Sequence, residues 1–188
     1  MKMRLLIIFF LLIICNILSA LPANDVQIIT NRDYFPAVFK LFNDAEESIY
    51  IFMFTARIYP DYPNDVNWKL LDALVEAKKR GVDVKVILDA SSWNKDNTLK
   101  NKQMADALKE RGIEVFYDPL DVTSHSKLLI VDHRFTVIGS TNWSYYALEK
   151  NNEASVIIDS ESVAEGFEEY FKKNLNLSSK KLKMKDLE

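Results

Sequence analysis

Twice the chain closes an amphipathic helix on Arg-Gly and opens a β-branched strand directly after it: "EAKKRGVDVKVILD" at 76–89 and "ALKERGIEVFYD" at 107–118. A glycine at that place ends a helix by taking the left-handed conformation. The immediate switch from a helical to a strand pattern leaves room only for a short connection, which is how crossover helices feed a parallel sheet. Leu70, Leu71, Leu74, Val75 and Lys78 recur at three- and four-residue spacing, so the first helix is predicted over 66–81 and the second over 98–112. "VQIIT" at 26–30 reads as a strand. "RDYFPAVFKLFNDA" reads as a helix, with Pro36 in its first turn. "SIYIFMF" at 48–54 is too apolar for one wet face, so it is a buried strand. After Pro119 the rhythm changes. "SKLLIVD" and "FTVIGS" form a hairpin about His133-Arg134, "EASVIID" is a further strand, and "ESVAEGFEEYFKKNL" is a last helix. The expected fold is an α/β sandwich with helices on both faces. Its sheet is mixed, parallel in the first half and antiparallel in the second.

The 188 residues suit one domain, expected at 24–176. Residues 1–23 open with Lys2 and Arg4 and continue in an apolar run, the pattern of an export signal or an uncleaved membrane anchor. Either places the domain outside the inner membrane, as a periplasmic, secreted or anchored protein. Residues 177–188 are lysine-rich and are expected to be a solvated tail. The one cysteine, Cys15, lies in the N-terminal run, so neither a disulfide framework nor a thiolate metal site is available to the domain. The net charge of -3 argues against holding nucleic acid by the overall field.

The chemistry concentrates in "HSKLLIVDHRFTVIGSTNWS" at 125–144. Residues two apart on a strand share a face, so His125 and Lys127 project together, and Ser140 and Asn142 have the same spacing after the second strand. A hairpin can bring the two pairs near each other. The set comprises an imidazole, an ammonium, a hydroxyl and a carboxamide. It suits a phosphodiester whose charge is balanced by side chains. No carboxylate pair and no His/Asp/Cys cluster offers metal geometry.

These residues resemble the signature of the phospholipase D superfamily: H-x-K, four residues, D, six residues, G-S-x-N. His125, Lys127, Asp132, Gly139, Ser140 and Asn142 meet every spacing. The chain most resembles members with one signature per polypeptide, the bacterial periplasmic endonuclease type and the mitochondrial cardiolipin-hydrolase or Zucchini type. The resemblance implies that His125 attacks phosphorus and forms a phosphohistidine. Lys127 and Asn142 would bind the non-bridging oxygens, with Ser140 assisting. Glu153 would be the acid that orients a catalytic histidine, and Asp132 a structural acid fixing the hairpin. No metal or other cofactor is implied.

His133 falls outside the signature and reads as a turn residue. Trp143, Tyr145 and Tyr146 are read either as pocket aromatics or as core. Thr55, Arg57 and Ser91 follow strands at their C-terminal ends, where α/β sheets place ligands. An in-line displacement needs groups on both sides of phosphorus, and the sequence holds no second H-x-K. A two-fold homodimer sharing one site is therefore expected. The first-choice function is a metal-independent endonuclease on DNA or RNA. The alternative is a phospholipase D acting on phosphatidylcholine or cardiolipin, with membrane association through the N-terminus. A non-catalytic binding module is the third reading.

Overall fold

The computed structural model describes residues 20–182. The export signal or anchor therefore lies almost wholly outside the described residues, as does the end of the tail. Among the described residues, no helix is long and apolar enough to cross a membrane.

Seven strands form one sheet: β1 (Asp25–Thr30), β2 (Ser48–Met53), β3 (Asp83–Leu88), β4 (Glu114–Tyr117), β5 (Lys127–Val131), β6 (Phe135–Gly139) and β7 (Ala154–Asp159). Their order is β1-β7-β6-β5-β2-β3-β4. β2, β3 and β4 run parallel to one another, and the β5–β6–β7 meander is antiparallel. β5 joins the two halves by pairing antiparallel with β2. β1 departs from the expected division. It comes first in sequence but pairs antiparallel with β7 at the far edge.

The helices are α1 (Tyr34–Asp44), α2 (Val66–Lys79), α3 (Lys95–Lys109), α4 (Tyr145–Glu149) and α5 (Glu161–Leu177). The larger core lies under α1, α2 and α3, and includes Phe42, Leu70, Leu74, Met104 and Leu108. A smaller cluster on the other face packs Phe171 and Ala164 of α5 against Tyr50, Phe52, Leu128 and Ile130. Local chemistry sets the ends. Asp65 caps α2 by accepting from the Asn67 and Trp68 amides, and Gly81 takes φ +100° just past it. The α3 helix starts three residues earlier than the spacing predicts, because the Asn94 side chain caps it through the Asn97 amide. Short α4 has no apolar periodicity of its own and was not expected.

The β5–β6 turn holds Asp132 and His133 at φ 51° and 54°, the left-handed pair a tight antiparallel hairpin needs. Residues 178–182, expected to belong to a free tail, are instead held against the outer edge of β4. Ser179 pairs with Tyr117 by two backbone hydrogen bonds of 2.8 Å, and Lys180 meets Glu114 at 2.6 Å. That contact covers strand groups that would otherwise stand open.

Candidate active site

The register fixes which loops meet. Met53 pairs with Lys127, Leu88 with Met53 and with Tyr117, Gly139 with Ser155, and Thr30 with Ala154. Segments 31–33, 54–65, 89–94, 118–126 and 140–153 therefore open from one end of the sheet. His125, Lys127, Ser140, Asn142 and Glu153 all belong to that end. The hairpin does bring the two expected pairs together, since Leu128 faces Ile138 and the next residues outward are Lys127 and Gly139.

Gly139 is required by space. A Cβ there would lie 2.1 Å from Ser155 Oγ and 2.4 Å from the Ala154 carbonyl. The close approach lets β6 deliver Ser140 against β7. The Ser140 amide donates to the Ala154 carbonyl at 3.0 Å, and the Ser140 hydroxyl accepts from the Ala154 amide at 3.1 Å. The same hydroxyl donates to Glu153. Glu153 is held in turn by Asn151 at 3.1 Å and by Asn31, which accepts from its amide at 2.9 Å.

Lys127 is 7% exposed, yet its Nζ stands 3.2 Å from His125 Nδ1 and 3.3 Å from Nε2. It donates to the His125 carbonyl at 2.8 Å. The Phe54 ring lies 4.5 Å from the imidazole and 4.8 Å from the ammonium, so it backs both. Burial, and then the Lys127 charge, hold the imidazole below its ordinary pKa. Burial also lowers Lys127, against the pull of Glu153 and Asp89. His125 is exposed, and with Lys127, Gly139, Ile138, Phe167 and Tyr170 it lines a cleft of about 310 Å³. A neutral, accessible imidazole beside a buried cation is suited to attack an anionic phosphorus centre.

The other expected residues divide. Asn142 is half-buried, and its amide oxygen is buried without a partner among the protein groups. The Trp143 amide, bonded to the Thr55 carbonyl at 2.9 Å, anchors that turn to the β2 exit. Asp132 lies at the opposite end, where its carboxylate accepts from the Glu46, Glu47 and Ser48 amides at 3.0, 2.8 and 2.9 Å. His133, beside it, bonds Glu168 of α5 and is a turn residue. Glu153 is bonded to Ser140 and Asn151, and the His125 ring nitrogens face Lys127 instead. Trp143 is core, bonded to Tyr34 at 3.3 Å. Tyr145 and Tyr146 are exposed and, with Tyr59, Tyr62 and Asp65, line a second cleft of about 380 Å³. Thr55 and Ser91 are buried, bonded to Asn97 and Thr98. Arg57 is half-buried, with an unpaired Nε.

A polar layer beneath the site was not read from the sequence. Asn97 and Asn101, one turn apart on α3, both donate to the Phe54 carbonyl, at 2.9 and 2.8 Å. Asn101 also accepts from the Ala56 amide at 2.9 Å and donates to the Asp89 carbonyl at 2.8 Å. Polar residues at core positions of a helix were the available signal. No group of three or more His, Cys, Asp or Glu side chains that could hold a metal occurs among the described residues.

Residues 38–175 match the family "Cardiolipin synthase, PLD-like domain". The chain is 26% identical over 165 residues to a cardiolipin synthase of Clostridium perfringens, covering 88% of this chain and 32% of the relative. It is 30% identical over 147 residues to a phospholipase D of Rickettsia conorii, covering 78% of this chain and 62% of the relative. The chain thus spans only part of the curated relatives it matches. Among solved structures, Nuc of Salmonella typhimurium, a phospholipase D family member, superposes with a TM-score of 0.69 at 26% identity, covering 82% of this chain and 95% of that one.

Proposed function

Because the chain belongs to the phospholipase D superfamily through its PLD-like domain, as a phosphodiesterase, we propose that it hydrolyses phospholipid diesters through a phosphohistidine at His125, in a two-fold homodimer with one shared site. The reaction rests on one observation: an accessible His125 lowered in pKa beside the buried Lys127 ammonium. The His125 nitrogen attacks phosphorus, and the bond to the leaving oxygen breaks. A second imidazolium donates its proton to that oxygen. Water then attacks phosphorus, the P–N bond breaks, and the second imidazole takes the water proton. Among the described residues the other histidine, His133, is at the far end of the sheet, so the second imidazole is supplied by His125 of another copy. Lys127 and the Asn142 amide hold the non-bridging oxygens.

The substrate reading is supported by charge. Besides the buried Asp89 and Asp118, the five loops at the catalytic end carry six Asp or Glu residues against three Lys or Arg. A long polyanion is disfavoured there, because phosphate-backbone affinity comes from basic side chains. A diester carrying a single phosphate is not. Relatives named cardiolipin synthase and phospholipase D agree with this. An endonuclease is the second reading, favoured by exposed rings at the same end, Tyr62 at 69%, Trp93 at 59% and Tyr146 at 67%, on which unpaired bases can stack.

Residues 24–188 assayed on phosphatidylcholine and cardiolipin vesicles, single-stranded DNA, duplex DNA and RNA should hydrolyse lipid fastest, and to persist in doing so in EDTA. Faster cleavage of a nucleic acid reverses the substrate choice. Acid quenching during turnover should trap labelled phosphate on His125. Specific activity should fall on dilution through the dimer dissociation range; a fully active monomer in sedimentation refutes the shared site.

A further inference from the structure

The parallel pairing of β3 with β4 sets Leu88 against Tyr117, so the residues that leave the two strands, Asp89 and Asp118, emerge side by side. Asp89 is 0% exposed and Asp118 is 4% exposed. Two carboxylates buried next to each other do not both ionise unless cations face them. The facing groups are few. Lys127 of β5 attracts Asp89. Lys181, beyond α5, borders the same cleft as Asp118 but is exposed. Tyr117 is neutral, its phenol pushed far up by burial. One buried cation therefore stands against two carboxyls.

The hydrogen bonds show what the pair holds. Asp89 Oδ1 accepts from the Ser124 amide at 2.9 Å, and Oδ2 accepts from Asn97 at 3.3 Å. Asp118 Oδ1 accepts from the Ala90 amide at 2.6 Å, whereas its Oδ2 is buried with no partner. Ser124 directly precedes His125, and Ala90 directly follows Asp89. The two side chains thus cross-link the β3 exit to the segment that delivers the nucleophile.

We propose that Asp89 and Asp118 form a buried carboxyl pair carrying one proton and one negative charge, and that this pair positions His125 and balances Lys127. Asp89 is the ionised member. Its charge offsets the ammonium, and its oxygen fixes the Ser124 amide. Asp118 holds the proton and keeps the β3 exit closed on the 118–126 segment. Both are positioning residues, since neither touches the reacting atoms. Burial pushes Asp118 up to about 7, against the lowering effect of the nearby Ser124 and of the Ala90 amide and with the Asp89 charge adding to the rise. Asp89 is raised by burial and restrained by Ser124, Asn97 and Lys127.

The positioning role rests on His125 being the nucleophile; the shared proton does not. The test uses the full chain, the variants Asp118→Asn and Asp89→Asn, and a soluble aryl phosphodiester. Infrared difference spectra taken from about pH 5 to about pH 9 should show a protonated carboxyl that titrates near 7 in the wild type and disappears in Asp118→Asn. The wild-type denaturation midpoint should fall relative to Asp118→Asn as pH rises from about 4 to about 7, because the native state retains a proton the unfolded chain has released. Asp118→Asn, which copies the protonated form, should keep kcat within about twofold near pH 6. Asp89→Asn removes the charge facing Lys127, so kcat should fall about 10- to 100-fold with KM nearly unchanged, and the acid limb of kcat/KM should move to lower pH. Absence of the carboxyl band, or parallel midpoints for the wild type and Asp118→Asn, overturns the shared proton. An unmoved acid limb in a folded Asp89→Asn overturns the positioning role. If Asp89→Asn does not fold, the wild-type and Asp118→Asn spectra still decide the pair. A band that titrates as expected in a protein inactive on the diester leaves the pair standing and refutes the hydrolase reading.

Discussion

The β5–β6 hairpin carries a histidine at each end, and the two ends use it in opposite ways. At the turn, His133 bonds Glu168 of α5, with Ser48 at 3.4 Å and Glu47 at 3.9 Å. At the open end, His125 has a cation beside it and a cleft before it. The first environment provides carboxylates and ties α5 to the hairpin. The second provides an ammonium and a ring, which favour the neutral imidazole, and leaves a face free. Residue type is the same; what differs is the sign of the neighbouring charge and the access. A histidine surrounded by acids fastens elements together, whereas one beside a buried lysine is held ready to react.

The contrast predicts unequal losses. His125→Asn should reduce turnover about 10⁴-fold or more, because no other group in the site can form the covalent intermediate. His133→Asn should leave kcat within about twofold, as measured on the same diester. A large loss in the second variant would dissolve the distinction between the two ends. Lys127→Met keeps the length of the side chain and removes its charge. It should reduce kcat about 10²- to 10³-fold, the effect of removing a preorganised charge from an anionic transition state. It should also move the acid limb of the pH–rate profile upward, because the cation that disfavours imidazolium is gone. An unmoved limb would show that burial alone sets the His125 titration.

The signature and the helix–strand rhythm could be read in advance because each is local. A glycine after Arg80 or Arg111 ends a helix wherever the chain goes next, and H-x-K followed by G-S-x-N needs only a hairpin to close. Three features resisted for a common reason: they depend on partners far away in sequence. β1 pairs with β7, its neighbour at the sheet edge but almost the whole domain away in sequence. Gly139 is small because of Ser155 and Ala154, on another strand. Asp89 and Asp118 read as ordinary acids ending strands, until the parallel register sets them side by side and Ser124 comes back to meet them. Glu153 was expected beside a catalytic histidine, but its bonds run to Ser140 and Asn151. The spacing from Asn142 fixes its place just before β7 and leaves open which way its carboxylate turns.

The smallest expected effect belongs to the turn end and is one of stability. Glu168 is buried, which alone would raise its pKa, but its bonds to Lys172 and His133 hold it below the ordinary glutamate value. A carboxylate lowered by folding stabilises the native state above its unfolded pKa, and the contribution is lost as pH falls through the folded one. Glu168→Gln should therefore cost about 1–3 kcal/mol at neutral pH, the usual loss of a buried charge-assisted pair. The gap between variant and wild type in denaturant titrations should close as pH falls below the ordinary glutamate range, where wild-type Glu168 takes up its proton. Activity per folded molecule should be unchanged, since the Glu168 carboxylate meets the hairpin at its turn, through His133, and not at the end that carries His125. A gap that persists undiminished at low pH would mean that shape, not charge, is what Glu168 contributes to the turn.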